Sequence, residues 1–297
     1  MSTLKQLMDQ VEINLQGYVQ DQAEQTYVTT AMDSDDLTFI VDEPALVSRG
    51  IVQVEDELMW VKSVNRETST VTVSPFGRGY LSTTAASHAE GARVTDNPLF
   101  PRSQVKIAID QVLENLYPDL YVLTSTTFPF VAARATYELP AASRNVTMVT
   151  WDVIGPTKYW EPVRRWDFNP RADTTEFPTG RSIDIWSPIV PGRTVKVDYM
   201  SRPTGLSAPT DQFTSTGLET YVETTVVYGA CYRMVGWLDA PRLQARAVET
   251  SQRSAYVETG SASDTAKYFY ALYQQSLEAA RMRFLKENPT LLHFKRY

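Results

Sequence analysis

The chain has 297 residues, with 43% hydrophobic and 21% charged residues, a formal net charge of −7 and a single cysteine. This length and composition allow two or three compact modules with their own cores and exclude a largely disordered chain. One cysteine excludes an internal disulfide and a cysteine-based zinc site, two histidines argue against a histidine-rich metal site, and the lack of a basic tract argues against sequence-specific DNA binding.

The predicted elements begin with an amphipathic helix over 3–18, whose apolar residues recur at spacings of three and four and whose first turn Ser2 or Thr3 can cap. The periodicity then changes to that of strands. From about residue 26 to 97, short β-branched and aromatic runs alternate with polar turns, which predicts a small antiparallel barrel or sandwich with strands at 37–41, 50–54, 58–64 and 70–73. A second helix, capped by Ser103, is expected over 103–116.

A second β region is predicted over about 120–204. Alternating runs interrupted by prolines favour an antiparallel sandwich, with strands at 120–125, 127–131, 145–154, 158–165, 181–186 and 193–200. The last third of the chain is predicted to be helical. Its helices are expected from the capping-box pattern Thr216–Glu219 to about 238, from Pro241 to about 256, and over 263–287.

Together these elements predict an α+β fold, in which a helical bundle carries two inserted antiparallel β modules, a small barrel and a β-sandwich, and an extended C-terminal tail. Packing the helices together is the simplest way to bury their apolar stripes. The expected boundaries are 1–25 with 101–118 and 215–288 for the bundle, 26–100 for the barrel-like insertion, 119–205 for the sandwich and 289–297 for the tail.

No residue pattern indicates a catalytic site. Gly77-Arg78-Gly79 lacks the third glycine and the lysine of a phosphate-binding loop, so we interpret it as a turn in which Arg78 can pair with a carboxylate. His88 has no neighbouring nucleophile, which favours a structural hydrogen bond. The acidic turns 33–36 and 55–57 lack the features of an EF-hand, so solvated turns are favoured over a weak calcium site. Cys231 is expected to be a buried apolar residue.

We therefore expect no catalytic residue, no metal and no cofactor, and we do not expect an enzyme. The start of the chain lacks the apolar run of a signal peptide, and no apolar run reaches the roughly 18 residues of a membrane span. We expect a soluble protein that is made in a reducing cytoplasm.

The C-terminal segment combines large apolar and aromatic residues with two cations after a helix stop. Aromatic residues and arginine are the usual anchors of protein interfaces. The segment is therefore predicted to dock into a partner through Leu291, Leu292, His293, Phe294, Lys295, Arg296 and Tyr297.

The stretch over roughly residues 45–125 resembles the head-to-tail connector, or adaptor, proteins of tailed bacteriophages. The resemblance rests on the strand module ending in Gly77-Arg78-Gly79-Tyr80, the loop Ser82–His88, the helix start Phe100-Pro101-Arg102 and the segment Leu116–Leu120. One departure lies at Leu81-Ser82, where the family pattern would place Arg or Lys followed by Gly.

The resemblance implies a structural virion protein in the head–tail neck, assembled in the host cytoplasm, that joins the portal vertex to the tail. It implies a ring of usually about twelve copies around the DNA channel, with the C-terminal segment reaching into the portal protein and other surfaces meeting tail-side neck or tail-terminator proteins. DNA would pass through without specific binding, and no membrane is involved. The loop residues Arg78, Tyr80, His88 and Arg93 would contact the adjacent copy.

Two other classes stay open at this point. A receptor- or carbohydrate-binding virion protein could use the aromatic residues of the predicted sandwich, because aromatic faces suit sugar stacking; these are Trp151, Tyr159, Trp160, Trp166 and Trp186. A metal-dependent hydrolase would need a cluster of histidines and carboxylates, for which the chain has only two histidines.

Overall fold

The structure, a computed structural model, describes residues 2–16, 24–153, 159–248 and 261–288. Within these ranges the chain forms four helices and three antiparallel sheets. The helices are α1 (Leu4–Gln16), α2 (Arg102–Leu116), α3 (Glu223–Val248) and α4 (Ser261–Glu287).

The first sheet has six strands and lies between α1 and α2 in the sequence. Its strands are β1 (Gln25–Tyr27), β2 (Thr38–Ile40), β3 (Gly50–Val54), β4 (Glu57–Asn65), β5 (Thr70–Val73) and β6 (Arg93–Asp96). They are ordered β1-β6-β3-β4-β5-β2, and a bridge between Val28 and Val41 links the two edges. The sheet is thus a half-barrel, filled by buried residues such as Val52, Met59 and Val71.

The second β region forms two sheets. One has four strands in the order β10-β9-β13-β7 and the other three in the order β11-β12-β8. The strands are β7 (Val122–Pro129), β8 (Thr136–Glu138), β9 (Asn145–Val153), β10 (Tyr159–Pro162), β11 (Trp166–Asn169), β12 (Ser182–Ile185) and β13 (Thr194–Ser201). Ile183 and Ile185 of the smaller sheet and Val195 and Val197 of the larger one belong to one buried cluster, so the two sheets share a core.

The helices contribute to a third hydrophobic core, in which α3 is central. Its Gly229 lies so close to α2 and α4 that a Cβ atom there would be 2.9 Å from both methyl carbons of Val112 and 3.1 Å from the Tyr273 ring. Leu206 and Phe213, from the segment between β13 and α3, are buried in the same cluster. This core is therefore built from helices and connecting segments together.

The expected fold of a helical bundle with two inserted β modules and an extended tail is wrong. The structure is a mixed α/β arrangement of four helices and three antiparallel sheets, one of them a half-barrel, over the residues it describes. The β regions are more than appendages of a bundle, because two of the three buried clusters lie within them. The predicted tail, 289–297, lies outside the described residues. The predicted domain boundaries stay a prediction.

One of the predicted helix ends is confirmed and two are wrong. Thr3 caps α1 as expected, since the Gln6 amide donates to its Oγ1 and its own amide donates to the Gln6 side chain. The capping box at Thr216–Glu219 is absent, because Gly217 adopts φ 82 and α3 begins only at Glu223. α3 then continues through Pro241 to Val248, so the expected break between two helices is also wrong.

Candidate interaction site

Glu57 is the centre of a buried ionic cluster at one end of the half-barrel. It begins β4, and its side chain is 1% exposed. Arg78 binds it through two hydrogen bonds, from Nε to Oε1 at 2.8 Å and from Nη2 to Oε2 at 3.0 Å. The backbone amides of Gly79 and Ala86 also donate to this carboxylate, at 2.9 and 3.0 Å. One carboxylate therefore fixes both ends of the loop that follows Gly77.

His88 completes the cluster from the far end of the same loop. Its Nδ1 lies 3.0 Å from Oε2 of Glu55, and its Nε2 lies 3.0 Å from Oε2 of Glu57. Its backbone also forms a two-way bridge with Met32. The structural hydrogen bond expected for His88 is thus confirmed, and both ring nitrogens are occupied.

The cluster shifts the pKa of both titratable partners toward their charged forms. Burial alone would raise the pKa of Glu57, but hydrogen bonds from His88, Arg78 and two backbone amides outweigh it and lower the pKa from 4.5 to about 2. Burial alone would lower the pKa of His88, but the hydrogen bonds and charges of Glu57 and Glu55 raise it above 6.5. Both shifts favour the charged forms that bind each other inside the cluster.

Arg102 joins the half-barrel to the helices. It is the first residue of α2, and its amide donates to the Gln53 side chain of β3 at 3.0 Å. Its Nε donates to Asp56 at 2.7 Å, and its Nη1 donates to Asp9 and Glu12 of α1 at 2.8 and 2.9 Å. Burial would lower the pKa of Arg102, but the Glu12 charge and the bonds to Asp9 and Asp56 raise it further, so the guanidinium stays charged.

A groove of about 1100 Å³ lies between the half-barrel and the helices, beside both ionic clusters. Leu4, Met8 and Ile107 line it from α1 and α2, and Leu81, Ser82 and Thr83 line it from the loop. Arg102 also lines it, and its buried Nη2 has no hydrogen-bond partner in the part of the chain that the structure describes. A buried donor without an acceptor is uncommon in folded proteins.

The four predicted loop residues lie in different surroundings. Arg78 and His88 are used inside the cluster, which confirms that Arg78 pairs with a carboxylate. Tyr80 packs its ring 5.4 Å from that of Trp60, and Arg93 approaches Glu12 at 3.5 Å. Their expected role between copies stays a prediction.

The departure from the family pattern coincides with backbone strain. Leu81 and Ser82 have φ values of 53° and 64°, in the left-handed region that glycine adopts most easily. Leu81 is also 58% exposed. Two successive residues in this conformation persist only because the flanking backbone is held in place, here through Glu57 and Thr83.

The tail residues Leu291, Leu292, His293, Phe294, Lys295, Arg296 and Tyr297 lie outside the described residues. The aromatic residues of the second β region are not all in its core: Tyr159, Trp160 and Trp186 are 53%, 41% and 54% exposed. Trp151 and Trp166 are partly buried against the core that the two sheets share.

Sequence reasoning misses the two residues on which the site depends most, Glu57 and Arg102. Glu57 belongs to an acidic turn that is expected to be solvated, and Arg102 stands out only as part of a helix start. A usable signal for Glu57 is its position as the first residue of a strand whose next two residues are apolar. No comparable signal exists for Arg102, since its partners lie 46 to 93 residues away.

Other site classes find little support. Over the described ranges, no three His, Cys, Asp or Glu side chains are grouped so that they could hold a metal ion. Burial raises the pKa of the Cys231 thiol to about 12, which leaves it unreactive at neutral pH. None of the helices within the described residues has the length and apolar character needed to cross a bilayer.

Comparison with known proteins gives no relative. Neither a protein-family model nor a curated protein sequence matches the chain. What the chain does must therefore be argued from its own residues.

Proposed function

We propose that this chain is a structural virion protein of the head–tail neck of a tailed bacteriophage, which joins the portal vertex to the tail as a ring around the DNA channel. The proposal starts from the resemblance over residues 45–125. The observation that carries it is that the charged groups of the site bind one another within the chain: Glu57 pairs with Arg78 and His88, and Arg102 pairs with Asp9, Glu12 and Asp56.

These bonds support an assembly role because they fix two parts of the chain against each other. Arg102 links β3 and the turn before β4 to both α1 and α2. A protein that transmits position between a capsid and a tail needs such internal rigidity more than it needs reactive groups. Apolar side chains meanwhile stay exposed on its loops, notably Phe76 at 95% and Leu81 at 58%, as at surfaces that meet partners.

The partners in this proposal are the portal protein, adjacent copies of the chain and tail-side neck or tail-terminator proteins. The C-terminal segment 291–297 is proposed to dock into the portal, since it combines apolar anchors with Lys295 and Arg296. DNA would pass through the ring without specific contacts, which agrees with a net charge of −7.

The deciding experiment is cryo-electron microscopy of native particles together with a truncated chain. We expect density for the chain at the neck in a ring, and we expect deletion of 289–297 to leave the protein folded but unable to join portal-capped heads. The proposal fails if intact particles lack the chain at the neck. It also fails if the purified chain turns over a substrate. Infectious particles from the truncated chain would refute the docking role of the tail.

A second candidate is a receptor- or carbohydrate-binding virion protein, which the exposure of Tyr159, Trp160 and Trp186 favours. Binding to a glycan array, followed by Trp160→Ala and Trp186→Ala, tests it. A neck protein predicts no specific glycan binding and no effect of these substitutions on adsorption to cells. A receptor-binding protein predicts glycan binding that either substitution weakens.

A further inference from the structure

β7 is an edge strand with one side free of pairing in the described part of the chain. It is the last strand of the sheet ordered β10-β9-β13-β7 and pairs there with β13. Its eight residues make it the longest edge strand of the three described sheets, since the other edge strands have three or four. Five of its eight residues are exposed. A long exposed edge is a place at which a further strand can add to a sheet.

The hydrogen bond just after β7 shows which of its backbone groups face outward. The amide of Phe130 donates at 2.8 Å to the carbonyl of Arg193, the residue before β13, so the backbone groups of Phe130 point toward the β13 side. These groups alternate along an antiparallel strand. Those of Leu123, Ser125 and Thr127 therefore point away from β13. No described residue forms a backbone hydrogen bond with them.

β7 lacks the features by which proteins usually protect such an edge. It contains no charged residue, its register with β13 continues without a bulge, and its one proline, Pro129, is its last residue. The opposite edge of the same sheet is different: β10 has four residues, which include Glu161 and end in Pro162. β7 thus exposes a regular row of backbone donors and acceptors that a further strand can satisfy.

The described chain ends beside this edge. Glu287, the last residue of α4, and Asn288 line a pocket of about 440 Å³ together with Leu123 of β7. In the sequence, two residues separate Asn288 from the segment 291–297. Seven residues in a strand extend about 23 Å, which is the length of the stretch 123–129. The segment therefore starts next to the free edge and has the length to follow it.

The composition of the segment 291–297 suits a strand at this position. Four of its seven residues are large apolar or aromatic ones, and none is glycine or proline. The pocket beside β7 offers apolar surface from Tyr121, Leu123 and Met148. The charged residues that line the pocket already form ion pairs within the chain. Backbone pairing and apolar contact, rather than charge, therefore carry the fit.

We propose that residues 291–297 add to the free edge of β7 in the same copy of the chain, as a fifth strand of this sheet. The contact forms within one copy because Asn288 already lies at the edge, and a short tether gives the segment an effective concentration in the millimolar range. The consequence for assembly rests on the proposed function: the segment leaves β7 when it docks into the portal. β7 thus holds the docking segment until the portal competes for it.

Hydrogen exchange followed by NMR tests the added strand one amide at a time. The purified full chain is compared with a truncated chain that ends at Asn288. We expect the outward amides of β7 to exchange at least about tenfold more slowly in the full chain, because the added strand accepts their hydrogen bonds. The inward amides of Thr124 and Thr126 are the internal control. They face β13 and should exchange equally in both proteins.

Two substitutions of Ser125 separate backbone pairing from side-chain contact. Ser125→Pro removes one outward N–H and leaves the bonds to β13 in place, whereas Ser125→Ala keeps that N–H. The readout is the exchange of the amides over 291–297, measured by mass spectrometry. We expect these amides to be protected in the wild type and in Ser125→Ala, and to exchange at least about tenfold faster in Ser125→Pro.

Each outcome decides the proposal. Outward amides of β7 that exchange equally fast with and without the segment overturn it, whether or not Ser125→Pro folds. Equal protection of 291–297 in Ser125→Pro and Ser125→Ala overturns it as well, provided that circular dichroism shows both variants folded. Protection that grows with protein concentration places the segment on another copy and also overturns it. All these measurements use the purified chain without portal, so failure of the added strand is distinguishable from failure of the neck function.

Discussion

Glu57 shows how a single side chain can organise a loop without any catalytic purpose. Its two carboxylate oxygens accept hydrogen bonds from Arg78, from His88 and from the amides of Gly79 and Ala86. A buried cluster of this kind stabilises the fold only when every polar group in it is hydrogen-bonded, because each unpaired group costs free energy. Arg78 therefore has Glu57 as its buried countercharge, and His88 shares that carboxylate with the half-exposed Glu55.

Replacing Glu57 by glutamine should be strongly destabilising. Glu57→Gln keeps the shape but leaves Arg78 and His88 without a buried countercharge, and we expect a loss of about 3–5 kcal/mol in the free energy of unfolding. Glu55→Gln is the control: Glu55 is half-exposed and, among the described residues, its side chain bonds only His88, so about 1 kcal/mol or less is expected. Urea unfolding measures both. Equal losses in the two variants would show that the cluster is not held by Glu57.

The same cluster makes stability depend on pH in a defined direction. Because the pKa of His88 is raised in the folded state, its contribution is fully present below the ordinary value of 6.5 and is lost as the pH rises through the folded-state pKa. The Glu57 contribution is present above 4.5 and is lost as the pH falls toward its folded-state pKa of about 2. We expect the stability difference between the wild type and His88→Gln to shrink as the pH is raised above 6.5. Thermal unfolding at a series of pH values measures it, and a difference that stays constant or grows with pH would contradict the assignment.

At the scale of elements, α3 provides a paired test of close packing. Gly229 and Gly236 both lie within this helix, but only at Gly229 would an added Cβ atom have side-chain atoms within 4 Å, those of Val112 and Tyr273. Gly229→Ala gains helix propensity of about 1 kcal/mol and loses about 1–3 kcal/mol to overpacking, so a net destabilisation is expected. Gly236→Ala should stabilise by up to about 1 kcal/mol. Melting temperatures that move in the same direction for both would refute the tight contact of α3 with α2 and α4.

The elements that the sequence predicts well are those with long periodic patterns. α1, α2 and α4 start within one or two residues of their predicted starts, because their apolar stripes extend over several turns. β1, β6, β8 and β11 escape prediction although β2, β5, β10 and β12 are equally short, because their few apolar residues are not part of a longer β-branched or aromatic run. The predicted helix start at Pro241 is wrong because a helix can continue through a proline at the cost of one hydrogen bond.

The candidate site can be predicted only in part, because some of its bonded residues lie far apart in the sequence. The loop from Gly77 to His88 stands out by composition, and the pairing of Arg78 and the bonding of His88 follow from residue type. The partners of Arg102 cannot be inferred, because Asp9, Glu12 and Asp56 are brought to it by the packing of the half-barrel on the helices. No local sequence pattern indicates these long-range ion pairs.

For the whole molecule, Arg102 is the main connection between the half-barrel and the helices. Its bonds extend to β3, to the turn at Asp56 and to α1, and Arg93 of β6 approaches the same Glu12. The connection is sensitive to loss of the buried guanidinium. Without that cation, three carboxylates lie close together and repel one another. The two parts should therefore unfold together in the wild type and separately once Arg102 is lost.

Arg102→Met, which keeps much of the apolar stem and removes the charge, tests this coupling. Loss of charge-assisted hydrogen bonds to partners that are 21% to 45% exposed is expected to lower the opening free energy of β3 and β4 by about 1–3 kcal/mol, while the amides over 226–235 in α3 keep theirs. Hydrogen exchange read by mass spectrometry resolves the two regions. Lys106→Met is the control, because it removes a cation of the same helix whose Nζ, within the described part of the chain, donates only to the Ser207 carbonyl, and it should leave the half-barrel unaffected. A uniform fall across both regions in Arg102→Met would show that the half-barrel and the helices form one cooperative unit that does not depend on this guanidinium.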